Sequence, residues 1–263
     1  MCGRIALFTP PARLARYFEA ELEGDLDRTG QPVYNVGPTT DVYAARTRGR
    51  PGTPPTRVLE LFRWGLVPSW AADLSAGNRR FNARAESVAT TPAFRGAFAS
   101  RRALVAADGF YEWRRTPAGR QPHYFERSDG EPMAFAGLYE FWRDRTRPDD
   151  ASAWVRSCTI ITAAAGPDSE EIHDRVPVVM DPDSFDVWLD PDNDDRPGLE
   201  SLLHAAPPGT LRHHPVDPKV GNVRNDSPEL TRAYEPPAAG PSGGEAPPAG
   251  AQPELPLRAP DAG

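Results

Sequence analysis

The pattern of apolar and polar positions predicts one short helix near the start of the chain. Thr9 and Pro10 suit an N-cap and a first-turn proline, and Leu14, Phe18 and Leu22 then recur every four residues. Apolar side chains at this spacing lie on one face of a helix. We therefore expect an amphipathic helix that begins after Thr9 and ends near Leu22.

Beyond this helix the chain consists of short apolar or alternating runs separated by Gly, Pro and Asp, which is the pattern of β-strands. Strands are predicted over 58–64, 103–107, 110–114, 123–126, 133–139, 154–162 and 176–180, a hairpin loop over 116–119, and short helices over 184–189 and 199–204. Strands and helices do not alternate as they do around a parallel sheet. The pattern therefore indicates an α+β fold, a single domain built mainly on antiparallel β-sheet with a few short helices.

Composition divides the chain near residue 235. Residues 236–263 are rich in Pro, Gly and Ala and contain no aromatic or β-branched side chain, so we expect a domain over 1–235 and a disordered tail over 236–263. Within the tail, residues 252–257 resemble the short Gln-plus-hydrophobic peptides that dock on replication sliding clamps. The alternatives are a clamp contact and a chance resemblance.

The charge limits how the chain can meet a nucleic acid. The net charge of −7 and the pI near 5.3 disfavour a polyanion, so any nucleic-acid site must be a local patch. Residues 79–102 hold six arginines and only Glu86 opposes them. This stretch is either such a patch or an ordinary solvated face.

The two cysteines, Cys2 and Cys158, are too few for a disulfide framework or a thiolate metal site, which indicates a reducing compartment. The first residues lack a signal-peptide pattern, and no run reaches the roughly 20 apolar residues of a membrane span. We expect a soluble, cytoplasmic protein.

Cys2 directly follows Met1, and a small second residue generally permits removal of the initiator methionine. The product would carry an α-amine and a thiol on adjacent carbons. Such a 1,2-aminothiol condenses with an aldehyde to an imine, to which the thiol adds to close a thiazolidine ring. The alternative is that Cys2 is an incidental small residue.

Seven segments in order carry a family resemblance. They are MCGR at 1–4, YNVGP at 34–38, WGLVPSW at 64–70, FNARAES at 81–87, ADGFYEW at 107–113, TAAAGPD with IHDRVPVVM within 162–180, and HPVDPKVGNVRND at 214–226. Together they resemble the SRAP family, the SOS-response-associated peptidase domain. The resemblance implies a domain that binds single-stranded DNA, or its junction with a duplex, and forms a thiazolidine crosslink to an abasic site, with no metal or organic cofactor.

The resemblance also implies that Asn82, Glu112 and His173 are active-site residues beside Cys2. A carboxylate such as Glu112 can take and return the protons of imine formation, and an imidazole such as His173 can protonate the leaving sugar oxygen. The amide of Asn82 can position the N-terminal amine or a sugar hydroxyl. The alternatives are an outward strand position for Glu112, a surface histidine, and a turn or strand-edge asparagine.

Four further residues are DNA-binding candidates. Arg84 would point to the same side as Asn82 in an extended segment, which suits a phosphate contact, and Arg4 and Arg175 are weaker candidates for that role. Trp70 is either a core residue or a platform on which an unpaired base stacks. Ala71 occupies the place where some relatives carry a second aromatic residue.

Three functions stay open at this point. The first is a covalent crosslinker of abasic sites, and weak strand nicking by β-elimination would accompany it if an imine forms without ring closure. The second is a thiol peptidase that uses Cys2, with its own Met1 bond as one substrate. The third is a non-covalent binder of unusual or modified DNA.

Overall fold

The computed structural model describes residues 2–24, 31–50, 53–117, 119–147 and 150–235. Met1 and the predicted tail, including the clamp-like peptide, lie outside the described residues. The α-helices are α1 (Pro11–Tyr17), α2 (Arg95–Ser100), α3 (Phe185–Leu189) and α4 (Arg196–Ser201). The strands are β1 (Ile5–Leu7), β2 (Glu21–Leu22), β3 (Val33–Val36), β4 (Asp41–Arg50), β5 (Thr53–Trp64), β6 (Asn82–Arg84), β7 (Arg102–Ala107), β8 (Gly109–Thr116), β9 (Gly119–Arg127), β10 (Met133–Arg143), β11 (Trp154–Ala164), β12 (Arg175–Pro177) and β13 (Leu211–Pro215).

The larger sheet closes on itself through five of its strands. The strands run in the order β11, β10, β7, β4 and β5 through antiparallel pairs, and β5 then pairs with β11 in parallel through Trp64 and Cys158. Strand direction cannot alternate all the way around a ring with an odd number of strands, so one parallel pair is required. β2, β12 and β6 extend this ring.

A second sheet has the strand order β13, β9, β8, β1 and β3. Phe110 of β8 stacks on Phe125 of β9 with ring centroids 4.7 Å apart, and it meets Phe135 of the closed sheet edge-on at 6.0 Å. These rings belong to one buried cluster that also contains Cys2. The N-terminal segment is thereby fixed between the two sheets.

The predicted fold class is confirmed. Each predicted strand segment contains a strand, and Thr116 pairs with Gly119 across the predicted hairpin turn, of which Ala118 lies outside the described residues. In the segment 176–180 the regular strand ends at Pro177, and Val179 forms only an isolated antiparallel bridge to Phe135. The last predicted helix lies earlier than 199–204, because the side chain of Asp195 accepts a hydrogen bond from the Gly198 amide and caps α4 there.

The first helix is shorter than predicted, and its cap differs. Pro10 occupies the N-cap position, whereas Thr9 donates its hydroxyl and its amide to the carboxylate of Asp108. The helix ends at Tyr17, and Glu19 follows with a φ of 51°. This left-handed residue turns the chain so that β2 pairs with β5, and the predicted end at Leu22 is therefore wrong.

None of the described helices is long and apolar enough to cross a bilayer.

Candidate active site

Cys2 lies just before β1 and is completely buried in the main hydrophobic core. Its Sγ lies 3.9 Å from the carbonyl oxygen of Arg4. Burial raises the pKa of the Cys2 thiol far above its usual range, and the negative charge of Glu112 raises it further. The thiol is therefore protonated at neutral pH, and a base must take its proton before the sulfur can react.

Asn82, the first residue of β6, contacts the N-terminal segment directly. Its Nδ2 donates a 2.6 Å hydrogen bond to the carbonyl oxygen of Cys2. The register of β6 against β11, with Asn82 opposite Ile160, fixes the position of this amide. Its Oδ1 is buried and accepts no hydrogen bond from the part of the chain that the structure describes. The Asn82 side chain therefore holds the Cys2 backbone through Nδ2 and presents Oδ1 as a hydrogen-bond acceptor.

Glu112 is buried, with only 4% of its surface exposed, so the outward-facing alternative does not hold. It follows Phe110 and Tyr111 in a run of buried β8 residues. Strand β8 pairs with β1, and the Tyr111 amide donates to the Arg4 carbonyl oxygen at 2.9 Å. This pairing places Glu112 close enough to Cys2 for its charge to act on the thiol.

His173 lies in the turn between β11 and β12 and is half-buried. Its Nδ1 accepts a 3.0 Å hydrogen bond from the Arg175 amide and lies 2.9 Å from the carboxylate of Asp174. These contacts fix the ring by its Nδ1 edge.

The end of β11 connects the segments of Asn82 and His173. Thr162 pairs with Arg84 of β6 and with Pro177 of β12, and the amide of Ala165 donates to the Asp174 carbonyl oxygen. Asn82 contacts Cys2 directly and Glu112 acts on it electrostatically, whereas His173 is connected to them through strand β11, which pairs with both β6 and β12.

Two of the arginine candidates have internal partners. Arg175 forms a bidentate ion pair with Glu86, at 2.5 and 3.0 Å, and also donates to the Thr162 carbonyl oxygen. Hydrogen bonding to Arg175 lowers the pKa of Glu86. Arg4 donates to Asn35 Oδ1 and to the Val220 carbonyl oxygen, both at 2.7 Å. Both guanidinium groups thus connect segments around the site.

The arginine-rich stretch 79–102 does not form one continuous surface patch. Arg102 is buried and donates to backbone carbonyl oxygens around α2 and α3, and Arg101 pairs with Glu140. Arg79, Arg84 and Arg95 are exposed. Of the arginines proposed to bind DNA, Arg84 is therefore the one displayed on the surface next to Asn82.

Trp70 is 61% exposed and is not a core residue. Its loop is anchored next to the site, because the Leu66 amide donates to the Arg80 carbonyl oxygen and the Trp142 indole donates to that of Ala71. Gly65 and Gly77 approach so closely that a Cβ on Gly65 would lie 2.8 Å from the Gly77 carbonyl oxygen. Ala71 is buried.

Two features were not assigned from the sequence. Asn35 of the YNVGP segment donates to the carbonyl oxygens of Val220, Asn222 and Asn225 and accepts from Arg4, which attaches the last motif to the N-terminal segment. The YNVGP motif that contains Asn35 was the sequence signal that could have identified this residue. The second feature is a pair of histidines, His123 and His213, which come from two strands far apart in the sequence. His123 is the strand-register partner of Glu112.

Within the described ranges, no three His, Cys, Asp or Glu side chains are arranged to hold a metal ion.

The fold and the site define a single-domain protein of two sheets with a cysteine centre at its N-terminal segment. The model of the SOS response associated peptidase (SRAP) family matches residues 1–223. The chain belongs to this family, which confirms the resemblance found in the sequence.

Similar proteins include the abasic site processing protein YoqW of Bacillus subtilis, at 34% identity over 89% of this chain and 100% of that protein. YedK of Escherichia coli, also called an abasic site processing protein, is 31% identical over 88% of this chain and 98% of its own. HMCES of Gallus gallus carries the same description and is 31% identical over 87% of this chain and 76% of its own. A solved structure of a Bacteroides thetaiotaomicron protein matches the fold with a TM-score of 0.76 at 19% identity, over 89% of this chain and 100% of that one.

Proposed function

We propose that this protein processes abasic sites in single-stranded DNA by capturing their aldehyde on Cys2 after Met1 is removed. Three relatives that are 31–34% identical over 87–89% of this chain are named abasic site processing proteins, which supports the class of substrate. The observation that carries the proposal is the placement of Cys2, whose carbonyl oxygen is fixed by Asn82 while buried Glu112 acts on its thiol.

The chemistry begins with the α-amine that Met1 removal frees. An open-chain abasic sugar presents an aldehyde, and the amine attacks its carbon to give a carbinolamine. Water then leaves and an imine forms, a step that needs a proton donor at the departing oxygen. Glu112 in its protonated form is the proposed donor, and its carboxylate is the proposed acceptor of the proton from the attacking amine.

The thiol then completes the ring. Sulfur adds to the imine carbon, the thiol proton moves to the ring nitrogen through Glu112, and the C–N and C–S bonds of a thiazolidine are both in place. One water is lost in the whole reaction. His173 is proposed to protonate the sugar ring oxygen while the anomeric hydroxyl gives its proton to solvent water, so that the ring C–O bond breaks and the aldehyde forms.

Strand binding is proposed to use the exposed groups of the same face. Arg84 suits a phosphate contact beside the lesion, and Trp70 suits stacking on a base that has no pairing partner. A preference for single-strand and duplex junctions belongs to the same proposal. Arg4 and Arg175 act mainly by positioning the segments that carry Cys2 and His173.

The competing function is a thiol peptidase, as in the name of the family. A peptidase could use the Cys2 thiol alone, whereas a thiazolidine requires the free α-amine as well. Nicking of the strand is an expected side reaction wherever an imine persists long enough for β-elimination.

Intact-mass spectrometry of the purified chain, with and without single-stranded DNA carrying one abasic site, tests the proposal. We expect loss of Met1 and a covalent adduct whose mass is the sum of protein and DNA less one water. Cys2→Ala and a variant with an N-terminal extension should give no stable adduct. Adduct formation by the extended variant would refute the aminothiol mechanism, because only its thiol is free.

A further inference from the structure

Glu112 lies opposite a histidine in the sheet. In the antiparallel pair of β8 and β9, Glu112 is the register partner of His123, so their side chains lie on the same face of the sheet. His123 is itself buried. A buried carboxylate that must gain and lose protons needs a path to the solvent, and His123 is placed next to it.

A second histidine continues from the first. His123 Nδ1 lies 3.2 Å from His213 Nδ1, and His213 Nε2 lies 3.3 Å from the carboxylate of Glu171. The His213 side chain is 20% exposed and that of Glu171 is 55% exposed, so this end reaches water. Glu171 is two residues before His173, in the same turn.

We propose that His123 and His213 form a proton path that connects Glu112 with Glu171 and the solvent. The inference rests on the proposed role of Glu112 in imine formation. When both rings are neutral, His123 donates from Nδ1 to His213 Nδ1, and His213 donates from Nε2 to Glu171. In that state His123 Nε2 carries no proton and can accept one.

The transfer conserves protons and needs no other reactant. Protonated Glu112 gives its proton to His123 Nε2, and His123 gives the proton on its Nδ1 to His213 Nδ1. The products are the Glu112 carboxylate, a neutral His123 with its proton on the other nitrogen, and a His213 imidazolium paired with Glu171. Release from His213 to water completes the path, and the reverse sequence reprotonates Glu112.

The surroundings of His123 suit this role. Burial, with smaller contributions from His213 and Arg114, lowers the pKa of His123 to about 4, so His123 transmits a proton without retaining it. Glu171 favours a positive charge at the outer end of the path. The charged and titratable groups around His123 are Glu112 and Arg114 from β8, His213 on the same sheet face and His214 on the opposite face of β13, and Glu171 from the turn.

The first test compares His213→Phe with His214→Phe. The His213 and Phe125 ring centroids lie 4.8 Å apart. Phenylalanine keeps a ring in this position but cannot carry a proton. We expect His213→Phe to slow crosslinking to abasic single-stranded DNA about tenfold at low buffer concentration, and imidazole buffer to restore part of the rate. His214→Phe, on the same strand but outside the path, should retain the wild-type rate. Equal rates and equal buffer dependence in His213→Phe and wild type would overturn the proposal.

Glu171→Gln provides a surface variant that does not threaten the core. It removes the charge that stabilises protonated His213, and we expect the rate to fall about two- to fivefold, with the pH profile displaced from that of the wild type. A profile that superimposes on the wild-type curve would contradict the path.

Nitrogen-15 NMR of the histidine rings tests the path without any DNA. A protonated His213 Nδ1 can no longer accept a hydrogen bond from His123, so in that state we expect the proton of neutral His123 to move from Nδ1 to Nε2. A His123 tautomer that stays unchanged throughout a pH titration overturns the proposal. A wild-type protein that forms no crosslink would instead refute the proposed function, and the NMR titration would then decide the path alone.

Discussion

Replacing Trp70 by alanine separates a DNA-stacking role from a structural one. Trp70 is 61% exposed, so its removal should change the free energy of unfolding by no more than about 0.5 kcal/mol. One stacked base contributes about 1–3 kcal/mol, and each 1.4 kcal/mol is a factor of about ten in affinity. We therefore expect Trp70→Ala to weaken binding to single-stranded DNA by about 5- to 150-fold.

Trp154→Ala is a matched control, because Trp154 is similarly exposed, at 53%, but lies at the start of β11. Fluorescence anisotropy with a labelled single strand that contains a tetrahydrofuran abasic analogue measures affinity without crosslinking, since this analogue has no aldehyde. Thermal unfolding of both variants checks their stability. The stacking role fails if Trp70→Ala binds within twofold of the wild type, or if Trp154→Ala loses as much affinity.

Three further predictions concern the site and its frame. Asn82→Ala removes the hydrogen bond to the Cys2 carbonyl oxygen, so chemical denaturation should show a loss of about 1 kcal/mol in the free energy of unfolding. Single-turnover crosslinking should slow by more than this loss of stability explains, and an unchanged rate would contradict the positioning role. Gly109→Ala would place a Cβ against the Tyr124 ring and 2.5 Å from the Phe125 carbonyl oxygen. We expect chemical denaturation to show a loss of about 1–3 kcal/mol or more in the free energy of unfolding, and wild-type stability of this variant would refute the prediction. Between pH 6.5 and about 4, His123 is protonated in the unfolded chain but not in the folded chain, so stability should fall as the pH falls through this window. His123→Gln should flatten this part of the plot of urea midpoint against pH. An unchanged slope would contradict the prediction.

The alternating runs were sufficient to predict most of the fold. A strand such as β8 carries its own signal, because the aromatic residues Phe110, Tyr111 and Trp113 lie close together and a turn before Gly119 bounds it. Strands β1, β2, β3 and β6 were not predicted, because runs of two to four residues give too little periodicity to recognise, and the longer β4 and β13 were not predicted either. The first helix was predicted too long, since the left-handed conformation at Glu19 depends on β2 pairing with β5.

The candidate site, like the fold, was predicted only in part from the sequence. The order of short motifs in the sequence determined the family and the candidates Cys2, Asn82, Glu112 and His173, because each motif keeps its residues close along the chain. Only the tertiary structure decided that Asn82 bonds the Cys2 carbonyl oxygen, that Glu112 faces the interior and that Trp70 faces the solvent. It alone brought His123 and His213 together, since strand pairing joins residues that lie 90 positions apart. Burial and long-range contact depend on how the sheets pack, and no local pattern in the chain records that packing.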